Sequence, residues 1–400
     1  MKVFYDEKTR LPGEKPIKSW CMNPEEGALS QAINLARLPF LFRHVALMPD
    51  THQGYGMPIG GVVALEKVII PNAVGVDIGC GMLAVKTSLT EITTEELKQI
   101  MGKIRGVVPV GFNHQKQFQN EELMPQSGLI IDNATIVCKE YTPARKQLGT
   151  LGGGNHFIEI QKGSDGHIWF MVHSGSRNLG FKVAEHYVDL AYNLNQKWHA
   201  NTYLPKDKKQ SLAFLPMDSK EGQMYLEEMQ YCLDFALANR KLMANNIKNC
   251  FGEVMGYDLI DFVEEINIHH NYAKWENHFG KNVIIHRKGA TSARDGEIGL
   301  IPGSQGTASY VVRGKGNKES FTSCSHGAGR KMGREEAKKT LDLIAEQKRL
   351  DDRGIIHSVR NKEDLDEASG SYKDIDVVMA EQTDLVDIVV KLEPLGVIKG

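Results

Sequence analysis

Long hydrophobic runs are missing from this 400-residue sequence. No stretch approaches the roughly 18 consecutive apolar residues of a membrane span. The opening Met1-Lys2-Val3-Phe4-Tyr5-Asp6 has none of the apolar character of a secretion signal. An excess of charge of one sign is missing too: 48 basic side chains against 50 acidic ones leave a formal charge of −2. A global basic field is thereby excluded, so any nucleic-acid site has to be a local patch. Cysteine is scarce, at 21, 80, 138, 232, 250 and 324, and shows no paired spacing. That scatter, without an export signal, points to reduced thiols and a cytoplasmic protein rather than a disulfide framework. Internal repeats, low-complexity linkers and sharp breaks of composition are also lacking. The expectation is a single α+β domain over residues 1–400, β-rich, with central mixed sheets flanked by helices.

What the chain does have is one recurring phrase: an apolar strand, then a turn of Gly, His, Asp or Ser. It occurs at His44–Met48 followed by Pro49-Asp50-Thr51-His52-Gln53-Gly54, and at Ile168–Val172 followed by His173-Ser174-Gly175-Ser176-Arg177. Val283–His286 followed by Arg287-Lys288-Gly289-Ala290 repeats it. A site at clustered strand ends is implied. Gly75-Val76-Asp77-Ile78-Gly79-Cys80-Gly81 sets a hard carboxylate and a soft thiolate three residues apart, a pair suited to a borderline divalent metal. Read alone, it is more readily a glycine turn with a buried cysteine. Leu148-Gly149-Thr150-Leu151-Gly152-Gly153-Gly154-Asn155-His156 can offer backbone N–H groups to a phosphate but lacks the Lys-Ser/Thr ending of a P-loop. Of the adjacent His269 and His270, at most one can face a given site. Thr93-x-x-Glu96 predicts a helix start. Helices are expected over about 26–37, 182–196 and 219–249; in the last, Met229, Leu233, Ala236, Leu237, Arg240, Ala244 and Ile247 form a stripe taken as core. Residues 200–218, with two prolines and several lysines, read as an exposed excursion.

Nine motifs in order carry a resemblance: Met-Pro-Asp-x-His at 48–52, Gly-Val-Asp-Ile-Gly-Cys-Gly at 75–81, Gly-Gly-Asn-His-Phe-Ile-Glu at 153–159, His-Ser-Gly-Ser-Arg at 173–177, His-His-Asn-Tyr at 269–272, Arg-Lys-Gly-Ala at 287–290, Pro-Gly-Ser-x-Gly at 302–306, His-Gly-Ala-Gly-Arg at 326–330 and a terminal Val-Ile-Lys-Gly. Together they resemble the RtcB family of RNA-splicing ligases. Gln305, where methionine is common, and Gly333, where serine is common, depart from the pattern without touching a mapped ligand.

The resemblance implies a GTP- and Mn-dependent ligase that joins an RNA 3′-phosphate or 2′,3′-cyclic phosphate to a 5′-hydroxyl. It implies one Mn on Asp77, Cys80 and His156 and a second on Cys80, His173 and His270. It implies His326 as the residue that takes GMP. The GTP pocket maps to Asn155, His156, Phe157, Ile158, Glu159, His270, Asn271, Pro302, Gly303, Ser304, Gln305, Ser309, His326, Gly327, Ala328, Gly329, Tyr372 and Lys399. Asp50, His52, Arg177, Arg287, Lys288 and Arg330 are assigned to the RNA. Whether an accessory protein assists is left open. The chemistry suits these residue types, because an unactivated 3′-phosphate has no good leaving group and a covalent GMP carrier supplies one. Neutral imidazole is both a sound nucleophile and a sound leaving group. A dinuclear phosphohydrolase accounts for the ligands but not for a glycine-flanked His326 or a docked terminal lysine. A non-catalytic RNA-end binder leaves a complete ligand set unexplained.

Overall fold

The computed structural model describes residues 1–5, 11–126 and 135–400. Its architecture is α+β, with two large sheets and helices packed on their outer faces. The first sheet has six strands in the order Lys2–Phe4, Ile17–Ser19, Leu41–His52, Ile59–Leu65, Lys281–Lys288 and Asn271–His278. It is mixed, because Ile17–Ser19 runs parallel to Leu41–His52 while the other neighbours are antiparallel. Side-chain alternation sorts its residues to two cores. Val45, Leu47, Val63 and Leu65 pack with Ala32 and Leu35 of the helix Glu26–Ala36. Ala46, Met48, Val62 and Ala64 pack on the opposite face with Val283 and Ile285.

The second sheet has seven antiparallel strands in the order Phe262–His269, Gly81–Thr87, Ile168–Ser174, Phe157–Gly163, Val386–Lys399, Ser309–Gly314 and Ile298–Ile301. Both its faces are apolar. Leu83, Val85, Ile158, Ile160 and Phe170 face the helices Thr94–Val107 and Lys220–Met255. Met82, Ala84, Trp169, Met171, Leu300 and Val311 face one another, because the sheet curls until its end strands touch. The chain passes from the second sheet to the first across one residue. His269 ends one strand, Asn271 begins the other, and His270 lies between them.

The capping box at Thr93 and Glu96 is present. Residues 200–218 are the exposed excursion expected only in their first half: 200–210 are exposed or half-buried, while most of 211–217 is buried. Leu212, Ala213, Leu215 and Met217 are buried, Leu215–Pro216 pairs with Val68–Ile69, and Asn72 Nδ2 donates to Ser211 O at 2.8 Å. Lysines on the outer side mask the inward-facing apolar residues in a reading by composition. Among the described residues no helix is long and apolar enough to cross a membrane.

Candidate metal centre and nucleotide pocket

Five side chains meet where the two sheets join. Cys80 opens the strand Gly81–Thr87, and its N–H closes a turn onto Asp77 O at 3.1 Å. His156 precedes the strand Phe157–Gly163, and His173 lies near the end of its neighbour Ile168–Ser174. The backbone N–H of His270 donates to Cys80 O at 2.9 Å. Asp77, Cys80 and His156 form one group of ligand atoms, and Cys80, His173 and His270 form a second; within each group these atoms lie within 4.8 Å of one another. Cys80 Sγ is 3.5 Å from His156 Nε2 and 3.2 Å from His173 Nε2. The Nε2 atoms of His173 and His270 are 3.3 Å apart.

Carbonyl groups behind the rings fix the tautomers. His156 Nδ1–H donates to Leu151 O at 3.0 Å and His173 Nδ1–H to Asn155 O at 3.1 Å. Each Nε2 then points inward, the arrangement a metal-binding imidazole adopts. Burial holds His173 and His270 well below the ordinary histidine range, so both rings are neutral. Asp77 feels burial, which raises its pKa, but the contact with His156 and the nearby Arg177 guanidinium bring it down to about 2. Burial and the Asp77 carboxylate push the Cys80 thiol up. Two cations, one per group, fit this donor set: they would separate the converging lone pairs and depress the thiol. A small residue is required alongside, since a Cβ on Gly175 would lie 2.3 Å from Asp77 Oδ1.

The cluster opens into a cavity of about 760 Å³. Asn155, Phe157, Glu159, Asn271, Pro302, Gly303, Ser304, Gln305, Gly327, Ala328, Gly329, Tyr372 and Lys399 line it together with Asp77, Cys80, His173 and His270. Its inner end is mixed in character. Burial raises Glu159 to about 8, against the lowering effects of Gln161 and Lys399. Burial lowers Lys399, against the pull of Glu367 and Asp366. Gln305 Nε2 donates to Glu367 O at 2.9 Å, and the Tyr372 hydroxyl donates to the Glu367 carboxylate.

His326 stands on the same wall, its ring centroid 4.8 Å from that of His270. Asp50 Oδ2 accepts from His326 Nδ1 at 2.6 Å and from its backbone N–H at 3.0 Å. With Nδ1 so held, Nε2 is left as a nucleophile. Asp50 approaches this closely because residue 329 is glycine: a Cβ there would lie 2.2 Å from Asp50 O.

Several expected contacts are corrected. Asp50 is fully buried and engaged with His326, so it has no surface for RNA. Arg287 is also fully buried: its guanidinium pairs with Glu276 at 2.6 Å and donates to Tyr272, Ser323 and Phe321 O, out of reach of RNA. The strand Lys281–Lys288 continues through the turn expected there, and that carries Arg287 inside. Ile158 turns into the helix-facing core and does not line the cavity. Ser309 is buried and supports the loop by accepting from Gly303 N at 3.2 Å. Arg330 lines the cavity; its Nε donates to Met332 O and its Nη2 to Asp366 O, while Nη1, 3.0 Å from the Glu367 carboxylate, makes no hydrogen bond among the described residues. Arg177 lies behind the metal cluster, 3.1 Å from His156 Nδ1. His52 and Lys288 do line the cavity. His52 bonds to Asp50 O at 2.9 Å, and Lys288 donates to Tyr55 O and to Asn72 O.

Two residues support the site to which the sequence gives no such role: nothing in it singles out Asn239, and it places Arg240 in the core stripe. Asn239 and Arg240 lie mid-helix in Lys220–Met255, both fully buried. Asn239 Oδ1 accepts from Gly149 N at 2.7 Å, and its amide donates to Gly175 O at 3.1 Å. Arg240 donates to Gly79 O at 3.0 Å, Ser174 O at 2.8 Å and Asn267 Oδ1 at 2.7 Å. The helix thereby ties together the glycine segments that carry four of the five ligands. An arginine within an apolar stripe was the available signal.

Comparison with known proteins agrees with this geometry. The family model described as tRNA-splicing ligase RtcB matches residues 31–400. RNA-splicing ligase RtcB of Escherichia coli (strain K12) is 38% identical over 405 residues, covering 96% of this chain and 97% of that protein. tRNA-splicing ligase RtcB of Thermococcus kodakarensis is 32% identical over 468 residues, covering 99% and 96%.

Proposed function

The chain belongs to the RtcB family, and from that premise we propose that it is a GTP- and Mn-dependent RNA ligase acting in tRNA splicing or RNA repair. It joins RNA 3′-phosphate or 2′,3′-cyclic phosphate ends to 5′-hydroxyl ends. The observation that supports this best is His326, held through Nδ1 by Asp50 on the wall of the cavity that four of the five candidate ligands, Asp77, Cys80, His173 and His270, also line. A dinuclear hydrolase would use such a histidine as a general acid or base and not as the atom that takes GMP, so a GMP adduct separates the two readings.

In the first step His326 Nε2 forms a bond to the α-phosphorus of GTP, and the bond to the pyrophosphate oxygen breaks. Asp50 keeps the Nδ1 proton and stabilises the positive charge that the ring acquires. An oxygen of the RNA 3′-phosphate then takes the GMP, and the imidazole leaves. A cyclic phosphate is opened to the 3′-phosphate beforehand. In the last step the 5′-hydroxyl oxygen attacks the 3′-phosphorus and GMP departs, leaving a phosphodiester. Asp77, Cys80 and His156 would hold one Mn and Cys80, His173 and His270 the other, which when bound neutralise phosphate charge and activate oxygens. Phe157 and Tyr372 bound the inner end of the cavity, where the guanine would lie against Glu159 and Lys399. Reduced Cys80 at such a centre suits the cytoplasm.

Incubation with α-labelled GTP and Mn tests the reading. A ligase accumulates an acid-labile protein–GMP adduct and, with RNA ends added, joined product. Absence of adduct under saturating GTP and Mn overturns it.

A further inference from the structure

Residues 108–120 have no part in the site as described, yet they are bound to it. Leu151 N donates to Pro109 O and Gly111 N to Gly152 O, each at 2.9 Å. Gln115 N donates to Lys146 O at 2.9 Å, Gln115 Nε2 to Gly149 O at 3.1 Å, and Gln119 N to Arg145 O at 3.1 Å. The loop is therefore fastened along the glycine segment 148–154 that leads into Asn155 and His156. A Cβ on Gly153 would lie only 3.7 Å from Gly111 Cα. On this loop Phe112 is 102% exposed and Phe118 50% exposed. A phenylalanine wholly in water, on a loop held by backbone bonds on both sides, has nothing among the described residues to pack against.

The surroundings suit a nucleic acid. No acidic side chain occurs between Arg105 and Glu121, and five amide side chains, His114 and Lys116 fill the segment. Lys146 and Arg145 sit 4.7 and 5.6 Å from the Phe118 ring. On the glycine segment, the Arg177 guanidinium occupies the space a Cβ on Gly152 would need, and Arg334 lies 3.1 Å from that of Gly154. Aromatic rings among cations and amides make a stacking surface for single-stranded RNA. Resting on the ligase reading, we propose that Phe112 is a stacking platform for an unpaired base of the RNA substrate, beside the metal centre. A docking protein is the alternative occupant, disfavoured by the cations and amides that the loop and its neighbours carry, two of them on the Phe118 ring.

The experiment measures the affinity of a short single-stranded RNA with a 2′,3′-cyclic phosphate end for the intact protein and for Phe112→Ala, Phe112→Leu and Phe112→Trp. Loss of one stacked base weakens binding about 5- to 150-fold. Alanine and leucine should both weaken binding, and tryptophan should restore it, because stacking needs a π-face. The slope of affinity against salt should stay as in the intact protein, since no phosphate contact is removed. RNA affinity in Phe112→Ala equal to that of the intact protein would overturn the proposal and assign the ring to a protein partner. Rescue by leucine would overturn stacking as well. Adduct formation by the intact protein, measured without RNA, separates the two readings. If no adduct forms, the ligase reading fails; if adduct forms and RNA affinity is indifferent to Phe112, only the present inference fails.

Discussion

Asp50 and His326 are 276 positions apart in the chain and 2.6 Å apart in space. Sequence shows each inside a good motif and nothing of their pairing, so an acid next to a histidine at 52 reads as a surface turn. Ion-pair partners distant in sequence are the least legible feature of the site; Arg287 and Glu276, 11 positions apart, pair across a hairpin whose register the composition does not show. The convergence of Asp77, Cys80, His156 and His173 as candidate ligands was legible because they sit in short glycine-framed motifs of unusual composition. Asp50→Asn should keep the shape of the buried pocket and lose the charge that supports a cationic His326. Adduct formation should fall by about two orders of magnitude or more, as for a triad carboxylate replaced by amide. Joining of RNA that already carries a 3′-terminal GMP cap should persist, because that step leaves His326 idle. An unchanged rate of adduct formation in Asp50→Asn would remove Asp50 from the mechanism. Cys80 makes a different demand. As the side chain common to both ligand groups, its replacement by alanine should empty both positions. Metal analysis of Cys80→Ala purified with Mn should find neither ion; retention of one would mean that the two sites are independent.

Elements were legible where a period or a cap marked them. The helix beginning at Thr94 announced itself through its capping box, and the strand Ile168–Ser174 through an apolar run ending in a polar turn. The order of strands within the sheets was not, because long-range pairing has no local signature. The helix Lys220–Met255 shows how a correct element can hide its work. Its apolar stripe packs as expected, yet Arg240 and Asn239 on the same helix hold the turns of the metal centre. Arg240→Met keeps the length and apolar stem but leaves Gly79 O and Ser174 O buried without that donor. A buried acceptor left without its donor costs about 1–3 kcal/mol. Outer support of this kind also tunes metal affinity by roughly 10- to 100-fold. A lowered thermal midpoint together with weaker Mn binding is expected from melting curves and metal titration. Normal Mn affinity in a folded Arg240→Met protein would confine the arginine to packing.

At the scale of the molecule, the last strand joins what the sequence leaves far apart. Val386–Lys399 runs down the second sheet between Phe157–Gly163 and Ser309–Gly314, and its register sets Lys399 opposite Phe157. The terminal motif therefore reaches the inner end of the cavity as part of the sheet, with the Lys399 ammonium 5.8 Å from the Phe157 ring. Trimming the tail would remove ladder pairing along with the charge, so Lys399→Met is the cleaner probe: it keeps the backbone and most of the stem. Guanine presents an acceptor at O6 where adenine presents an amino donor. A lysine there favours the first and rejects the second. A charge-assisted hydrogen bond contributes roughly 1.5–3 kcal/mol, which is about 10- to 150-fold in affinity. Lys399→Met should thus raise the GTP concentration needed for half-maximal adduct by that factor and narrow the preference for GTP over ATP. Thermal stability should change little, because burial already works against the charge. Adduct formation measured against GTP and ATP concentration decides the matter. The same GTP dependence and the same discrimination in both proteins would make Lys399 a packing residue at the end of a strand.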